Sequence, residues 1–140
     1  MSSSRPVRFM PRVLVVEDSF STRGFVRATL ESGFGPESIE VVEAESGFDA
    51  LRLLPRGSYD LVITDINMPD INGLELVQFI RQSDRHRGTR VVLISTQSSE
   101  RDRARGIALG ADAYLAKPFT EEQLRAVVAE QLDGSRSGGS

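Results

Sequence analysis

The chain has 140 residues, 17 of them Lys or Arg and 20 Asp or Glu, for a formal net charge of −3; that length suits one domain of roughly 100–150 residues. With no cysteine, disulfides, thiolate metal sites, iron–sulfur clusters and cysteine nucleophiles are excluded, and a pI near 5.2 lies far from the basic range of domains that bind nucleic acid by bulk charge. The longest apolar runs, such as Val13–Val16, are much shorter than a membrane span, and Met1–Pro11 has no apolar signal core, so a cytoplasmic protein without membrane insertion is expected.

In chain order, the polar, small residues of Met1–Pro6 make 1–10 an expected flexible tail. Arg12–Val16 (RVLVV) is an apolar run that stops at the acidic pair Glu17-Asp18, and helical spacing over about Phe20–Ser32 follows, with Gly33 placed to end it. Ile39–Ala44 is short and β-branched, and a helix is expected over Gly47–Leu54. Asp60–Asp65 (DLVITD) is an apolar run ending on an aspartate, followed by helical spacing over Leu74–Gln82. Arg90–Ser95 (RVVLIS) repeats the pattern, with a helix over Glu100–Leu109 that Gly110 ends. The weaker run Asp112–Ala116 leads into Lys117-Pro118, and Glu121–Leu132 shows an apolar stripe through Leu124, Val127, Val128 and Leu132. Ser99 with Asp102, and Thr120 with Gln123, have capping-box spacing. The Gly/Ser-rich stretch 133–140 is an expected flexible tail, which leaves 11–132 as the folded domain.

Five strand–helix units in succession predict an α/β fold, because parallel strands need crossover connections and those crossovers are right-handed. Four of the strands are nearly continuous in apolar residues, as strands covered on both faces should be. In such sheets ligands bind beyond the carboxyl ends of the strands. There the sequence sets Glu17 and Asp18, Asp65, Ser95 and Thr96, and Lys117. Three clustered carboxylates repel one another unless a cation joins them, and an oxygen-only donor set favours Mg2+. The rim reads as a site for phosphoryl chemistry.

These residues match a known family. Val13-Leu-Val-Val-Glu-Asp18, Asp65-Ile-Asn-Met-Pro69 with Asn72-Gly73-Leu74, Ser95, Gly110-Ala111 with Tyr114, and Lys117-Pro118-Phe119 together resemble the receiver domain of bacterial two-component response regulators, in its small chemotaxis-type form. The resemblance spans about residues 11–132. It implies a flavodoxin-like (βα)5 three-layer sandwich with strand order 2-1-3-4-5. It implies Asp65 as phosphoacceptor, taking its phosphoryl group from a histidine kinase. It further implies Mg2+ held by Asp18, Asp65 and the Asn67 backbone carbonyl, with Glu17 acting through a water, and phosphoryl oxygens met by Lys117, Ser95 and Thr96. A cis peptide at Lys117–Pro118 and a switch built from Ser95 and Tyr114 complete the set. The output would then be contact with a downstream protein, through a surface formed by the fourth strand and helix and the fifth strand and helix, in chemotaxis or motility and without direct DNA binding. Such a protein is a phosphoacceptor regulator rather than an enzyme acting on a separate substrate.

Several positions depart from the commonest family pattern: Glu17 for aspartate, Ser95 for threonine, Thr96 for alanine and Asn72 for aspartate, with Gln97 at a position that tunes dephosphorylation. They bear on the lifetime of the phosphorylated state. Two rivals are set against this reading. A haloacid-dehalogenase-like phosphatase needs a second aspartate two residues after the nucleophile, where this chain has Asn67. A pseudo-receiver would bind its partner without phosphate. Taken singly, Tyr114 reads as a core or rim aromatic, His86 as surface, and Arg101, Arg103 and Arg105 as a solvated helix face.

Overall fold

Apolar, β-branched segments form the strands of one five-stranded parallel sheet in the computed structural model, which describes residues 10–96 and 100–138. The elements run β1 (Arg12–Val16), α1 (Phe20–Phe34), β2 (Glu40–Ala44), α2 (Gly47–Leu53), a 3-10 turn (Leu54–Arg56), β3 (Leu61–Asp65), α3 (Gly73–Gln82), β4 (Arg90–Ser95), α4 (Glu100–Leu109), β5 (Ala113–Ala116) and α5 (Glu121–Gly138). The strand order is β2-β1-β3-β4-β5, the flavodoxin-like arrangement that the family resemblance implied. Register sets the functional rim: Val16 is level with Ala44 and Thr64, Asp65 with Ile94, and Ser95 with Ala116. The strands therefore finish together.

The continuous apolar runs have the expected cause. Alternate residues of one strand enter opposite cores. Leu14, Val16, Val62, Val91 and Leu93 pack with Ala50, Leu76, Val77 and Ile80 on one face. Val13, Val15, Ile63, Val92 and Ile94 pack with Val26, Leu30, Leu124, Val128 and Leu132 on the other. Two helix layers thus enclose the sheet.

Helix ends follow local chemistry, with two corrections. Gly33 does not end α1: a side chain there would run into Arg125 of α5, and the helix goes on to Gly35, whose φ of +88° supplies the left-handed terminus. Gly33 is therefore a packing glycine, and Gly35 the stop. Gly110 ends α4 with φ +117°. Second, α5 does not stop at Leu132 but continues to Gly138, into the stretch expected to be flexible. Once a helix is nucleated and packed, each further residue adds a hydrogen bond for only its own backbone entropy, so low propensity alone does not end it. The expected capping box at Thr120 is present, with Gln123 N donating to Thr120 Oγ1 at 3.0 Å and Thr120 N to Gln123 Oε1 at 2.9 Å. A second one, not anticipated, joins Asn72 and Glu75 at the start of α3. The Ser99–Asp102 box, Gln97, residues 1–9 and residues 139–140 lie outside the described residues.

His86 is also corrected. It is 2% exposed rather than on the surface, because the loop between α3 and β4 turns it inward. Burial, with the charge of Arg85 beside it, holds its imidazole below the ordinary pKa despite a hydrogen bond to the Leu54 backbone. As pH falls, the unfolded chain therefore takes up this proton first, so stability present at neutral pH is lost below about 6.5. In urea denaturation stepped from about pH 7.5 to about pH 5, His86→Gln is expected to lose less stability than the native chain. An equal loss in both would exclude His86 as its source.

Candidate functional site

At the end of β1 the chain leaves the sheet through Glu17, which is 1% exposed, and Asp18, which is exposed. Glu17 N still donates to Ala44 O at 3.1 Å, continuing the ladder to β2. Ser19 then caps α1, accepting from Thr22 N at 3.3 Å, while its own N–H donates to Glu17 Oε2 at 3.0 Å. Asp65 ends β3 and is 5% exposed; its Oδ1 accepts from Asn67 N at 3.2 Å. Gly73 lies so close beneath this loop that a Cβ would strike the Asp65 carbonyl. Register thus brings the acids of β1 and β3 to adjacent strand ends.

Lys117 closes the group from the far side. It follows β5, and its Nζ lies 3.0 Å from both Glu17 Oε1 and Asp65 Oδ2. The peptide to Pro118 is cis. Burial works against the charge on Lys117, yet its hydrogen bonds to Asp65 and Glu17 outweigh that and hold its pKa above the ordinary value. For Glu17 the balance tips the other way. Burial raises its pKa, with repulsion from Asp65 adding to it, and the Ser19 amide and Lys117 only partly offset this. One cation shared between two carboxylates leaves the cluster short of positive charge.

Glu17, Asp18 and Asp65 each offer a carboxylate oxygen within 4.8 Å of the others. That oxygen-only set, with one buried acid under strain from its neighbours, fits a hard divalent cation such as Mg2+. Ser95, fully buried at the end of β4, accepts from Asn67 Nδ2 at 3.3 Å, so Asn67 connects the Asp65 loop to β4 through both its backbone and its side chain. Thr96 is exposed and lines a cleft of about 580 Å³ with Ser21, Thr22, Phe25, Lys117 and Phe119. Tyr114 stands half-buried on β5, opposite Leu93 and not in direct register with Ser95.

Sequence reasoning missed two contributors. Asp70, in the loop after β3, accepts from Phe48 N at 2.9 Å and Gly47 N at 3.4 Å at the start of α2. Arg23 is buried on α1, its Nη1 2.7 Å from the Glu17 carbonyl. Its signal was its place with Val26 and Leu30 at helical spacing on an inward face. Arg101, Arg103 and Arg105 are exposed, as expected of a solvated face.

The model of the response regulator receiver domain family matches residues 13–129. The transcriptional regulatory protein YrkP of Bacillus subtilis, itself uncharacterised, is 40% identical over 121 residues, covering 86% of this chain and 49% of its own length. The transcriptional regulatory protein PrrA of Mycobacterium tuberculosis is 40% identical over 122 residues, 87% of this chain and 50% of its own. The chain thus spans about half the length of these curated relatives. Among solved structures, the chemotaxis response regulator CheY4 of Vibrio cholerae superposes with a TM-score of 0.81 at 33% identity, covering 89% of this chain and 100% of that one.

The shared ammonium makes a direct prediction. Lys117→Met leaves Glu17 and Asp65 buried together with no cation between them. A loss of about 1–3 kcal/mol is expected at neutral pH, read by urea unfolding. The loss should shrink as pH falls through the raised pKa of Glu17, since the protonated acid no longer needs the ammonium. A loss that did not depend on pH would mean the lysine stem, not its charge, holds the site.

Proposed function

The chain belongs to the response regulator receiver domain family, a phosphorylation-based signalling module, and on that premise we propose that Asp65 is its phosphoacceptor. The observation that carries this is the triangle of Glu17, Asp65 and Lys117, with Lys117 Nζ 3.0 Å from each carboxylate and Asp18 completing the acidic group. In this reading a carboxylate oxygen of Asp65 attacks phosphorus, the P–N bond of a histidine kinase's phosphohistidine breaks, and its electron pair returns to the imidazole. Asp18, Asp65 and the Asn67 carbonyl would hold Mg2+ directly and Glu17 would act through a water. The ion, when bound, neutralises charge on the phosphoryl oxygens.

The chain's own residues do the rest. Lys117 gives a compact cation to the same oxygens, and Thr96 lines the open approach to them. The new group carries about −1.5 to −2 charge at neutral pH, enough to draw the Ser95 hydroxyl away from Asn67. Tyr114, on the next strand, follows. The surface of β4, α4, β5 and α5 then changes, and a downstream protein selects the changed form. Moving the balance from 1:99 to 99:1 takes roughly 5.5 kcal/mol of differential affinity, which phosphate and partner supply jointly. Protein contact rather than DNA contact is the proposed output of this module, in the cytoplasm. A chemotaxis or motility target is the proposed setting, supported by the likeness to the chemotaxis response regulator CheY4.

The test is acetyl phosphate with MgCl2, followed by intact mass, with Asp65→Asn as control. A single phosphoryl adduct on the native chain and none on the variant is expected. A matching pull-down with and without beryllium fluoride should capture the target only with the mimic. An unmodified native chain that still captures a target would favour the phosphate-independent binding module instead.

A further inference from the structure

We propose that Arg23 is a positioning residue for the acidic pocket, holding Glu17 in place through the main chain; this rests on the reading of that pocket as a Mg2+ and phosphoryl site. Arg23 is only 8% exposed, and a buried guanidinium is costly unless its N–H groups are engaged. They are. Nη1 donates to the Glu17 carbonyl at 2.7 Å, and Nε donates to Glu43 Oε1 at 2.9 Å on β2. The exposed ring of Phe20 lies 5.7 Å from the guanidinium carbon, within reach of a cation–π contact. Glu43 is itself anchored, since Arg27 Nη1 donates to its other oxygen at 2.7 Å while Arg27 Nε reaches Glu31 at 3.1 Å.

The bond to the carbonyl makes this more than an ion pair. Glu17 stands where the chain leaves the sheet. Its N–H is fixed by Ala44 O, its C=O by Arg23. With the peptide planes on both sides held, the direction of its side chain toward Lys117 is set, and so is the path that carries Asp18 to the rim. A planar fork can grip a main-chain oxygen and a carboxylate at once, which a lysine ammonium cannot reproduce in the same geometry. Groups that orient metal ligands from behind typically cost 10–100-fold in metal affinity when removed.

The experiment is a MgCl2 titration of the full chain followed by 1H–15N NMR. Ser19 N donates to Glu17 Oε2, so its amide resonance reports the placement of that carboxylate before any metal is added. Arg23→Met and Arg23→Lys should both move the Ser19 and Asp18 resonances in the metal-free protein and weaken Mg2+ binding about tenfold or more. Arg23→Lys, which keeps a cation beside Glu43, should recover thermal stability relative to Arg23→Met without recovering Mg2+ affinity. If Arg23→Met does not fold, Arg23→Lys carries the comparison alone. Unchanged Mg2+ affinity in the lysine variant would overturn the inference while leaving the pocket reading intact. Failure of the native chain to bind Mg2+ would overturn both.

Discussion

The site depends on one ammonium lying between two carboxylates that have little access to water. Lys117 brings β5 to the acids of β1 and β3, and without it the sheet would carry a cluster of like charges at that rim. The pull of each partner shows in the direction of its pKa shift. The lysine is held charged by its two acids, whereas Glu17, more deeply buried, is pushed toward its neutral form. That residual imbalance leaves the pocket in need of a further positive charge, and so makes it a natural host for a divalent cation.

The sheet makes this encounter possible. Parallel order and level register place the ends of β1, β3, β4 and β5 along one edge, so residues far apart in sequence become neighbours with no long loop to order. The support behind the edge is equally specific. Asn67 connects the Asp65 loop to Ser95, Asp70 reaches the start of α2, and Arg23 takes the carbonyl of Glu17. Functional side chains that sit on rigid elements with a hydrogen-bonded second layer keep their geometry.

Much of this was legible in the sequence, for physical reasons that can be named. Apolar runs ending on polar residues mark strands covered on both faces, and the ends of parallel strands face one rim, so the grouping of Glu17, Asp18, Asp65 and Lys117 followed from the fold itself. What escaped was set by packing that no local pattern records. Gly33 looked like a helix stop, but the crossing Arg125 is what requires a missing side chain there. His86 sits between two arginines and looked exposed, yet the loop folds it inward. Arg23 sat on an apolar helical stripe where a charge is out of place; the carbonyl and carboxylate that accept it are brought there only by folding. The end of α5 was misplaced because Gly and Ser propensities say little about a helix already anchored by Leu124, Val128 and Leu132.

The hydrogen bonds that Asp70 accepts at the start of α2 bear on how that helix is sustained. α2 spans only Gly47–Leu53, well below the roughly 12–15 residues at which an isolated helix becomes marginally stable. Part of its N-terminal hydrogen bonding comes from a carboxylate 22 residues further along the chain. This short helix is therefore not held by local hydrogen bonds alone. Its N-terminal hydrogen bonding is complete only with the loop after β3 in place, so a contact distant in sequence sustains it.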